Sequence, residues 1–425
     1  MEGAVGGMTP RPRLLFLCQT LPYPPDGGVW IRTYHILRLL ARAFDITALC
    51  FERAPMAGND AARDPRAGIE ALSPFARVEV FPIPQRRSRT RFVWDHMRSM
   101  ALQRVYTTFM YESRDFAQRL SQLRRESAFD LVHVDSLDLA AHLPACDGIP
   151  IVCVHHDVTS TQLQRRAGIE RTEWRRAYLR HQARLMARAE RDWCARVAMN
   201  VVVSADDGES LRAIAPGARV TVVPNGVDVD QFRPASNAGR GAAYVGGLHW
   251  FPNADALEYF AADILPHLRR ADPEMPIRWI GSATSGEQHQ YRERHAIDVT
   301  GYVDDVRPFM EAAACHIVPL RAGGGTRLKI LNSWAMGKPV VSTTIGCEGL
   351  EAVDGDNILV RDDPKEFADA VLAVMNDRAL ARRLGASGRA TAERTYSWDV
   401  IGNELIASYL DIANVDSRTG ARIAV

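Results

Sequence analysis

Short apolar runs alternate with helical patterns along the first half of the chain. The runs lie at residues 14–17, 46–50, 78–83, 131–134, 151–154, 201–203 and 220–223. A loop rich in proline and glycine at 22–28 follows the first run, and helical spacing then extends from Val29 to Ala43. Runs of four to six apolar residues with helices between them are typical of parallel strands that are buried on both faces. The pattern therefore predicts a doubly wound α/β domain.

A second series of the same kind begins after Pro224-Asn225-Gly226. Its apolar runs lie at 242–245, 277–280, 316–318, 340–342 and 358–360. Two such series predict two doubly wound domains, each with its ligands at the carboxyl ends of the strands. We place the N-terminal domain at 1–225, the second domain at 226–395, and a C-terminal helix and tail at 396–425. We expect this last helix to cross back to the first domain.

Composition favours a cytoplasmic protein. No stretch approaches the roughly 18 consecutive apolar residues of a membrane-spanning helix. Residues 1–12 lack an apolar core, so we expect no secretory signal. The seven cysteines are scattered and never form Cys-x-x-Cys, which favours a reducing compartment over a zinc site or a disulfide framework.

Charge is distributed unevenly between the two halves of the chain. Residues 1–225 carry 31 Arg, no Lys and 24 acidic residues, a net charge of +7, whereas residues 226–425 carry −6. A basic first half favours an anionic partner, such as a phosphorylated lipid or a membrane surface. The scarcity of lysine suggests the alternative of an arginine-rich genome with solvated helix faces, and both interpretations stay open. We expect no nucleic-acid partner.

One segment, residues 85–125, concentrates arginine together with aromatic residues. It holds ten arginines and three acidic residues, and its aromatic residues include Phe92, Trp94, Phe109 and Tyr111. This composition is compatible with contact at a membrane interface. The alternative is a helical insertion over a substrate cleft, with its arginines in water.

A glycine-rich stretch at 321–342, RAGGGTRLKILNSWAMGKPVVS, is the most informative part of the chain. Gly323, Gly324 and Gly325 let the backbone approach a ligand closely. A helix is predicted from about Thr326 to Gly337, so free N–H groups and the positive end of the helix dipole face the loop. The stretch matches neither a Walker A loop nor the Gly-x-Gly-x-x-Gly dinucleotide motif.

Arg327 and Lys329 lie in the predicted first turn of that helix. Cations are unfavourable at a helix N-terminus, because they meet the positive end of the dipole. A bound anion would compensate them, and a diphosphate has the required charge. Lys329 and Asn332 are three residues apart and therefore share a helix face. We predict a phosphate site here, the alternative being an ordinary glycine loop between strand and helix.

Polar residues also end the run at 151–154, with the sequence His155-His156-Asp157. This is the ligand-binding end of a strand in a parallel sheet. An imidazole there can donate a hydrogen bond to a substrate or relay a proton near neutral pH. Because side chains alternate along a strand, we expect His155 to point to the opposite face and to be buried.

The motifs resemble those of family-4 glycosyltransferases, which have the GT-B fold. The resemblance spans roughly residues 13–412 and rests on VPNGVDVDQF at 223–232, GYVDD at 301–305 and the block at 323–339. The loop at 24–28 with Arg32, the element at 250–253 and the TRLK run at 326–329 resemble the subgroup associated with exosortase and exopolysaccharide gene clusters. The resemblance implies two Rossmann-like domains facing a cleft. It implies a retaining transfer of a sugar from a nucleotide-diphosphate donor to a glycan, lipid-linked or small-molecule acceptor in polysaccharide or glycoconjugate biosynthesis.

In the second domain the resemblance implies donor binding, with departures from the family pattern. Two glutamates of the family fall on Gly324 and Asn332; the Asn332 amide would hold the ribose, and backbone N–H groups would replace the other glutamate. The family's Arg and Lys after the first strand of this domain are missing, and Gly246 and Gly247 stand in that place. Neutralisation of the diphosphate is therefore assigned to Arg327 and Lys329. The loop at Val303 is expected to contact the base. The predicted donor-binding set is Gly246, Gly247, Val303, Gly323, Gly324, Gly325, Thr326, Arg327, Lys329 and Asn332.

In the first domain His156 with Asp157 resembles the family's His-Asp pair, and we predict both as catalytic residues. Gly27, Gly28 and Arg32 are expected to form a loop that contacts the acceptor or the donor phosphate. The alternative for this loop is a proline-glycine turn without a ligand.

No metal or cofactor is expected, since the nucleotide sugar is a substrate. Asp228-Val229-Asp230 matches the Asp-x-Asp of metal-dependent glycosyltransferases, but it lies in the linker rather than at a sheet edge. Two other functions stay open: a nucleotide-sugar 2-epimerase of the same fold, and a non-catalytic nucleotide-sugar-binding protein, suggested by the missing glutamates. We expect a cytoplasmic location, either free or with peripheral contact at the inner, anionic face of the membrane.

Overall fold

The computed structural model describes residues 11–53, 64–87, 89–234, 239–323 and 327–413. Its contacts divide the chain into two compact units. The first unit comprises the described residues up to Val223 together with those from Gly402 onwards, and the second is Pro224–Ile401. The sequence analysis sets the corresponding limits at residues 225 and 395.

The first unit is built on one parallel sheet. Its described strands are β1 (Arg13–Cys18), β2 (Asp45–Phe51), β3 (Arg77–Phe81), β4 (Leu131–Val134), β5 (Ile151–Val154), β6 (Met199–Val202) and β7 (Val220–Val222). They lie in the order β3-β2-β1-β4-β5-β6-β7. Residues 14–18 of β1 are fully buried, as expected of a strand covered on both faces. Because β1 pairs with both β2 and β4, the winding reverses between β1 and β4.

Helices cover this sheet on both of its faces, as doubly wound folds require. The predicted helix at 29–43 ends earlier, because Arg42 and Ala43 donate to the carbonyls of Leu39 and Leu40, three residues back, in a closing turn. The segment at 85–125 is helical. The helices are α1 (Gly28–Leu40), α2 (Pro65–Leu72), α3 (Arg89–Leu102), α4 (Tyr106–Met110), α5 (Arg114–Glu126), α6 (Thr159–Ile169), α7 (Glu173–Cys194) and α8 (Ala205–Ile214).

The second unit has a parallel sheet of its own. Its described strands are β8 (Ala242–Val245), β9 (Ile277–Ile280), β10 (Ile297–Val299), β11 (Cys315–Val318), β12 (Val340–Ser342) and β13 (Leu359–Val360), in the order β10-β9-β8-β11-β12-β13. Winding reverses between β8 and β11. The helices from this point to the end of the described chain are α9 (Phe251–Tyr259), α10 (Leu265–Ala271), α11 (Ser285–His295), α12 (Arg307–Glu311), α13 (Leu328–Ala335), α14 (Pro364–Asn376), α15 (Arg378–Thr391) and α16 (Trp398–Ala413).

Both predicted parallel sheets are confirmed, but the sequence analysis was wrong to omit β10. This strand has three residues, and its central Asp298 forms an ion pair with Arg278 of β9 at 3.0 Å. An edge strand needs no continuous apolar run, because one of its edges faces water. The strand β10 is therefore too short and too polar to be detected as an apolar run in the sequence.

The predicted return of the C-terminal helix to the first domain is also present. Residues of α16 from Gly402 onwards belong to the first unit. Gly402 packs so closely that a Cβ there would lie 2.5 Å from Leu39 of α1. Further along, the Tyr409 hydroxyl lies 2.8 Å from Nδ1 of the buried His133 on β4. No helix among the described residues combines the length and the apolar character needed to cross a membrane.

Two buried histidines are expected to make the stability depend on pH. His155 and His316 are 5% and 3% exposed, and burial lowers the pKa of each to about 4. Both are protonated in the unfolded chain below its ordinary pKa of about 6.5. The unfolded state thus binds more protons in this range, so the free energy of unfolding should fall as the pH drops from about 6.5 towards 4. Each histidine contributes at most about 1.4 kcal/mol per pH unit.

Urea unfolding at several pH values between 7 and 4.5 would measure this slope. His155→Gln and His316→Gln should each flatten it, whatever their effect on stability at pH 7. His289→Gln, at an exposed histidine of α11, is the matched control and should leave the slope unchanged. An unchanged slope in both buried variants would contradict the expectation.

Candidate functional site

The carboxyl ends of β8 and β11 lie side by side in the second unit, where the winding reverses. In open parallel sheets this position forms the ligand-binding crevice. Gly246 and Gly247 follow β8 directly, and the loop after β11 runs to Gly323. Gly281, which follows β9, has φ +149° and approaches so closely that a Cβ would lie 2.6 Å from the carbonyl carbon of Gly246. Three of the predicted donor-binding glycines, Gly246, Gly247 and Gly323, thus lie at one edge of the sheet.

Arg327 and Lys329 border the same edge at the start of α13. Arg327 occupies the N-cap position, and its guanidinium, 5% exposed, donates to the carbonyl of Ile345 at 3.0 Å. Lys329 donates from Nζ to Oδ1 of Asn253 at 2.9 Å and to the Tyr244 hydroxyl. The helix begins at Leu328, two residues later than predicted, so only Lys329 lies within the first turn.

The Lys329 amine has little negative charge around it. Arg327 forms an ion pair with Glu348 at 3.7 Å, whereas within the described ranges no carboxylate lies within 4 Å of Lys329 Nζ. Burial of the amine, reinforced by the charge of Arg327, holds the pKa of Lys329 well below its usual range. An anion placed beside the Lys329 amine would offset the cost of burying this charge near Arg327, so this edge is suited to bind phosphate.

The other predicted donor-binding residues lie at different places in the second unit, and some fall outside the described residues. Asn332 is half-buried and lies one turn after Lys329 on α13. Val303 follows β10 on the same sheet edge and packs against the small cluster that contains Ile280. Asp305 holds this loop, since it accepts from the Arg307 backbone N–H at 2.9 Å. Gly324, Gly325 and Thr326 lie outside the described residues.

The two aspartates of the Asp-x-Asp sequence in the linker form local hydrogen bonds and an ion pair. Asp228 Oδ1 accepts hydrogen bonds from the backbone N–H groups of Asp230 (3.1 Å) and Gln231 (2.9 Å). The Asp230 carboxylate is 83% exposed and lies 3.7 Å from Arg233. Across the part of the chain that the structure describes, no group of three or more His, Cys, Asp or Glu side chains is arranged to hold a metal ion.

In the first unit, His156 lies at the carboxyl end of β5 and faces Asp135, which directly follows β4. His156 Nε2 is 3.3 Å from Asp135 Oδ1, and the His156 side chain is 12% exposed. Asp135 is fully buried and accepts from the Thr33 hydroxyl at 3.0 Å. Burial alone would raise the pKa of Asp135, but His156 and His133 outweigh it and hold this pKa below its usual range. Asp135 is therefore a carboxylate that orients the His156 imidazole.

Asp135 is the functional residue that the sequence analysis missed. The sequence shows the apolar run at 131–134, and Asp135 follows it directly. In the same way, His156 lies two residues after the next run, at 151–154. The signal was available, because neighbouring parallel strands bring their carboxyl ends together. Asp157 accepts a hydrogen bond from Gln162 of α6 at 3.3 Å.

His155 takes the opposite side of the strand end, as expected. Its Nε2 lies 3.1 Å from Oδ1 of Asn200 on β6, and it is 5% exposed. This places His155 in the interior and His156 at the accessible edge.

The prediction for the loop before α1 needs one correction, at Arg32. Gly27 precedes α1, Gly28 begins it, and Arg32 lies in the helix predicted from Val29, but its side chain is buried rather than open to a ligand. Its guanidinium is 1% exposed and donates to the Val223 carbonyl at 2.8 Å. Burial lowers the pKa of Arg32 to about 10, while the charge of Asp135 acts in the opposite direction.

Comparison with known proteins agrees with the architecture of two Rossmann-like units. A model described as Glycosyltransferase Family 4 matches residues 26–231, and one described as Glycosyl transferases group 1 matches residues 239–377. Among solved structures, Anabaena HepE in complex with UDP has a TM-score of 0.64 at 15% identity, covering 93% of this chain and 99% of that one. Sucrose-phosphate synthase from Thermosynechococcus elongatus has a TM-score of 0.66 at 15% identity, covering 94% and 98%. The fold is that of the GT-B glycosyltransferases.

Curated relatives agree with this class. The phosphatidyl-myo-inositol mannosyltransferase of Mycobacterium tuberculosis is 26% identical over 225 residues, 49% of this chain. The match spans 57% of that protein, so the chain corresponds to little more than half the length of this relative. The lipopolysaccharide core biosynthesis glycosyltransferase LpsE of Rhizobium meliloti is 34% identical over 113 residues, 25% of this chain and 33% of that protein. The two family models together match residues 26–231 and 239–377, so the chain is similar to the family 4/group 1 glycosyltransferases in both of its units.

Proposed function

We propose that the protein is a retaining glycosyltransferase that takes a sugar from a nucleoside-diphosphate donor. The observation that carries the proposal is the buried Lys329 amine, whose hydrogen-bond partners among the described residues are an amide oxygen and a hydroxyl, next to Arg327 at the reversal point of the second sheet. A diphosphate leaving group supplies the missing negative charge. HepE, which shares the fold, has been solved with UDP-glucose, and this supports a nucleotide-sugar donor.

His156 is proposed to hold and polarise the donor sugar in the transition state. Its imidazole is oriented by the ionised Asp135 and remains partly accessible at the strand end. We propose a glycan, a lipid-linked sugar or a small molecule as acceptor, within polysaccharide or glycoconjugate biosynthesis in the cytoplasm. The names of the mannosyltransferase and lipopolysaccharide relatives support this range of acceptors, and the motifs favour the exopolysaccharide-associated subgroup.

A thermal-shift series with UDP, GDP, ADP and CDP tests the donor site. A nucleotide that binds the folded protein at 100 times its Kd raises the free energy of unfolding by about 2.7 kcal/mol. The matching nucleotide sugars are then incubated with candidate acceptors, and the anomeric configuration of the product is determined by NMR. Binding without turnover would favour a non-catalytic protein, and an epimerised donor would favour a 2-epimerase.

Transfer is expected to proceed without a divalent metal. Arg327, Lys329 and the N-terminus of α13 supply the positive charge that the leaving diphosphate requires. Excess EDTA should therefore leave the initial rate unchanged. Loss of activity in EDTA, with recovery on adding Mg²⁺ or Mn²⁺, would contradict this and would redirect attention to Asp228 and Asp230.

A further inference from the structure

Helix α3 packs onto the first unit through its polar side. Asp95, fully buried, forms an ion pair with Arg91 at 2.9 Å and accepts from the Gln85 amide at 3.4 Å. Ser99, also buried, accepts from Gln182 of α7 at 2.9 Å. A surface helix of a globular protein usually shows the reverse arrangement, with apolar residues facing the core.

The outward side of α3 is apolar. Six large side chains on it are each 46–56% exposed: Phe92, Val93, Trp94, Met97, Met100 and Leu102. Ile169 and Trp174, at the junction of α6 and α7, are exposed by 56% and 68%. One turn beyond Trp174, the ring of Tyr178 stacks on His96 of α3 with centroids 5.8 Å apart. We call these eight exposed residues the α3 face.

This face holds eight of the fifteen exposed large apolar residues in the described chain. Scattered exposed apolar residues are normal, but a concentration of this kind marks a binding surface. The contacts of Asp95 with Gln85 and of Ser99 with Gln182 keep α3 in this orientation, since turning the apolar side inward would break both hydrogen bonds.

Arginines surround the α6–α7 end of the face. Arg165, Arg166, Arg171 and Arg175 are exposed, and the Arg175 guanidinium lies 5.2 Å from the centre of the Trp174 ring. Of the acidic residues between them, Glu173 is already paired with Arg176 at 2.8 Å. The surroundings of the face are therefore positively charged, in line with the net charge of +7 over residues 1–225.

We propose that the α3 face docks on an anionic lipid bilayer. Trp, Phe and Met side chains would enter the boundary between headgroups and acyl chains, and the arginines would lie at the phosphate level. A protein partner would be met by an apolar centre with a mixed polar rim, whereas here four exposed arginines outnumber the two glutamates of the rim, Glu170 and Glu173, the latter paired with Arg176. The proposal does not depend on the transfer reaction, although it is compatible with a lipid-linked acceptor.

Flotation of the full chain with phosphatidylcholine vesicles, with or without phosphatidylglycerol, tests the proposal. The parent should bind anionic vesicles at least tenfold more tightly than neutral ones. The double variant Trp94→Gln/Met97→Gln should lose binding by at least tenfold. Arg171→Gln/Arg175→Gln should weaken only the anionic component, by about fivefold for each arginine. All four side chains are solvent-exposed, and circular dichroism with the thermal midpoint verifies the fold.

The matched controls lie in the second unit. Val353→Gln changes an equally exposed apolar residue, and Arg378→Gln/Arg382→Gln changes two exposed arginines; both should bind vesicles as the parent does. Quenching of tryptophan fluorescence by brominated lipid should decrease in Trp94→Phe. A parent that ignores anionic vesicles, or a Trp94/Met97 variant that floats as the parent does, would overturn the proposal. Dimers that the same variant dissociates, without vesicle binding, would instead assign the face to a second copy of the chain.

Discussion

Replacing His156 with alanine is expected to slow sugar transfer by about 10²–10⁴-fold, the usual cost of losing a positioned proton-handling group. Nucleoside-diphosphate affinity should stay as in the parent, because the cations proposed to bind phosphate belong to the second unit. A group that acts mainly in the transition state changes kcat rather than ground-state binding. Initial rates at saturating donor give kcat, and calorimetric titration with the nucleoside diphosphate gives the affinity.

The neighbouring histidine provides the control. His155 lies on the opposite side of the strand end, against Asn200, so His155→Ala should lower the free energy of unfolding and leave kcat of the folded fraction near that of the parent. Near-normal kcat in His156→Ala, with the loss in His155→Ala, would contradict the assignment.

The same assay can distinguish the roles of two carboxylates, Asp135 and Asp157. Asp135 contacts His156, whereas Asp157 accepts from Gln162. If orientation of the imidazole is what matters, Asp135→Asn should lower kcat and Asp157→Asn should have the smaller effect. The reverse result would restore Asp157 as the catalytic partner proposed from the family resemblance.

Replacing Lys329 with methionine is expected to weaken nucleoside-diphosphate binding by roughly 10- to 150-fold, since a charged hydrogen bond is worth about 1.5–3 kcal/mol. The same change should leave the ligand-free protein at least as stable. Its amine contacts only the Asn253 amide oxygen and the Tyr244 hydroxyl among the described residues, and methionine removes the cost of burying it near Arg327. Opposite signs for binding and stability distinguish a phosphate-binding lysine from a structural one.

Lys338 is the matched control, because it is a buried lysine of the same unit with a lowered pKa. It donates to the carbonyls of Glu311 and Ala313 at 2.7 and 2.8 Å, so Lys338→Met leaves two acceptors unpaired. This variant should lose stability and keep its affinity for nucleotide. Arg327→Ala should also weaken binding, but it leaves the Ile345 carbonyl without two of its hydrogen bonds. Parental affinity in both Lys329→Met and Arg327→Ala would place the phosphate site elsewhere.

The proposed phosphate site could be recognised in the sequence because its residues are nearly contiguous. Gly323, Arg327 and Lys329 lie within seven residues, and the chain passes directly from strand to loop to helix. What the sequence omitted is the support beneath Lys329, which comes from Tyr244 and Asn253, about 80 residues earlier. No local pattern links residues at that separation.

The sequence by itself determined the two parallel α/β units, because each long buried strand requires its own apolar run and each crossover its own helix. It also determined the separation of His155 from His156, since side chains alternate along a strand. Only the tertiary structure decided that His156 meets Asp135, that Arg32 is buried against Val223, and that α3 turns its apolar side outward. In each case the deciding contact joins distant parts of the chain. Whether a polar group is satisfied in the interior depends on those partners, and local periodicity carries no information about them.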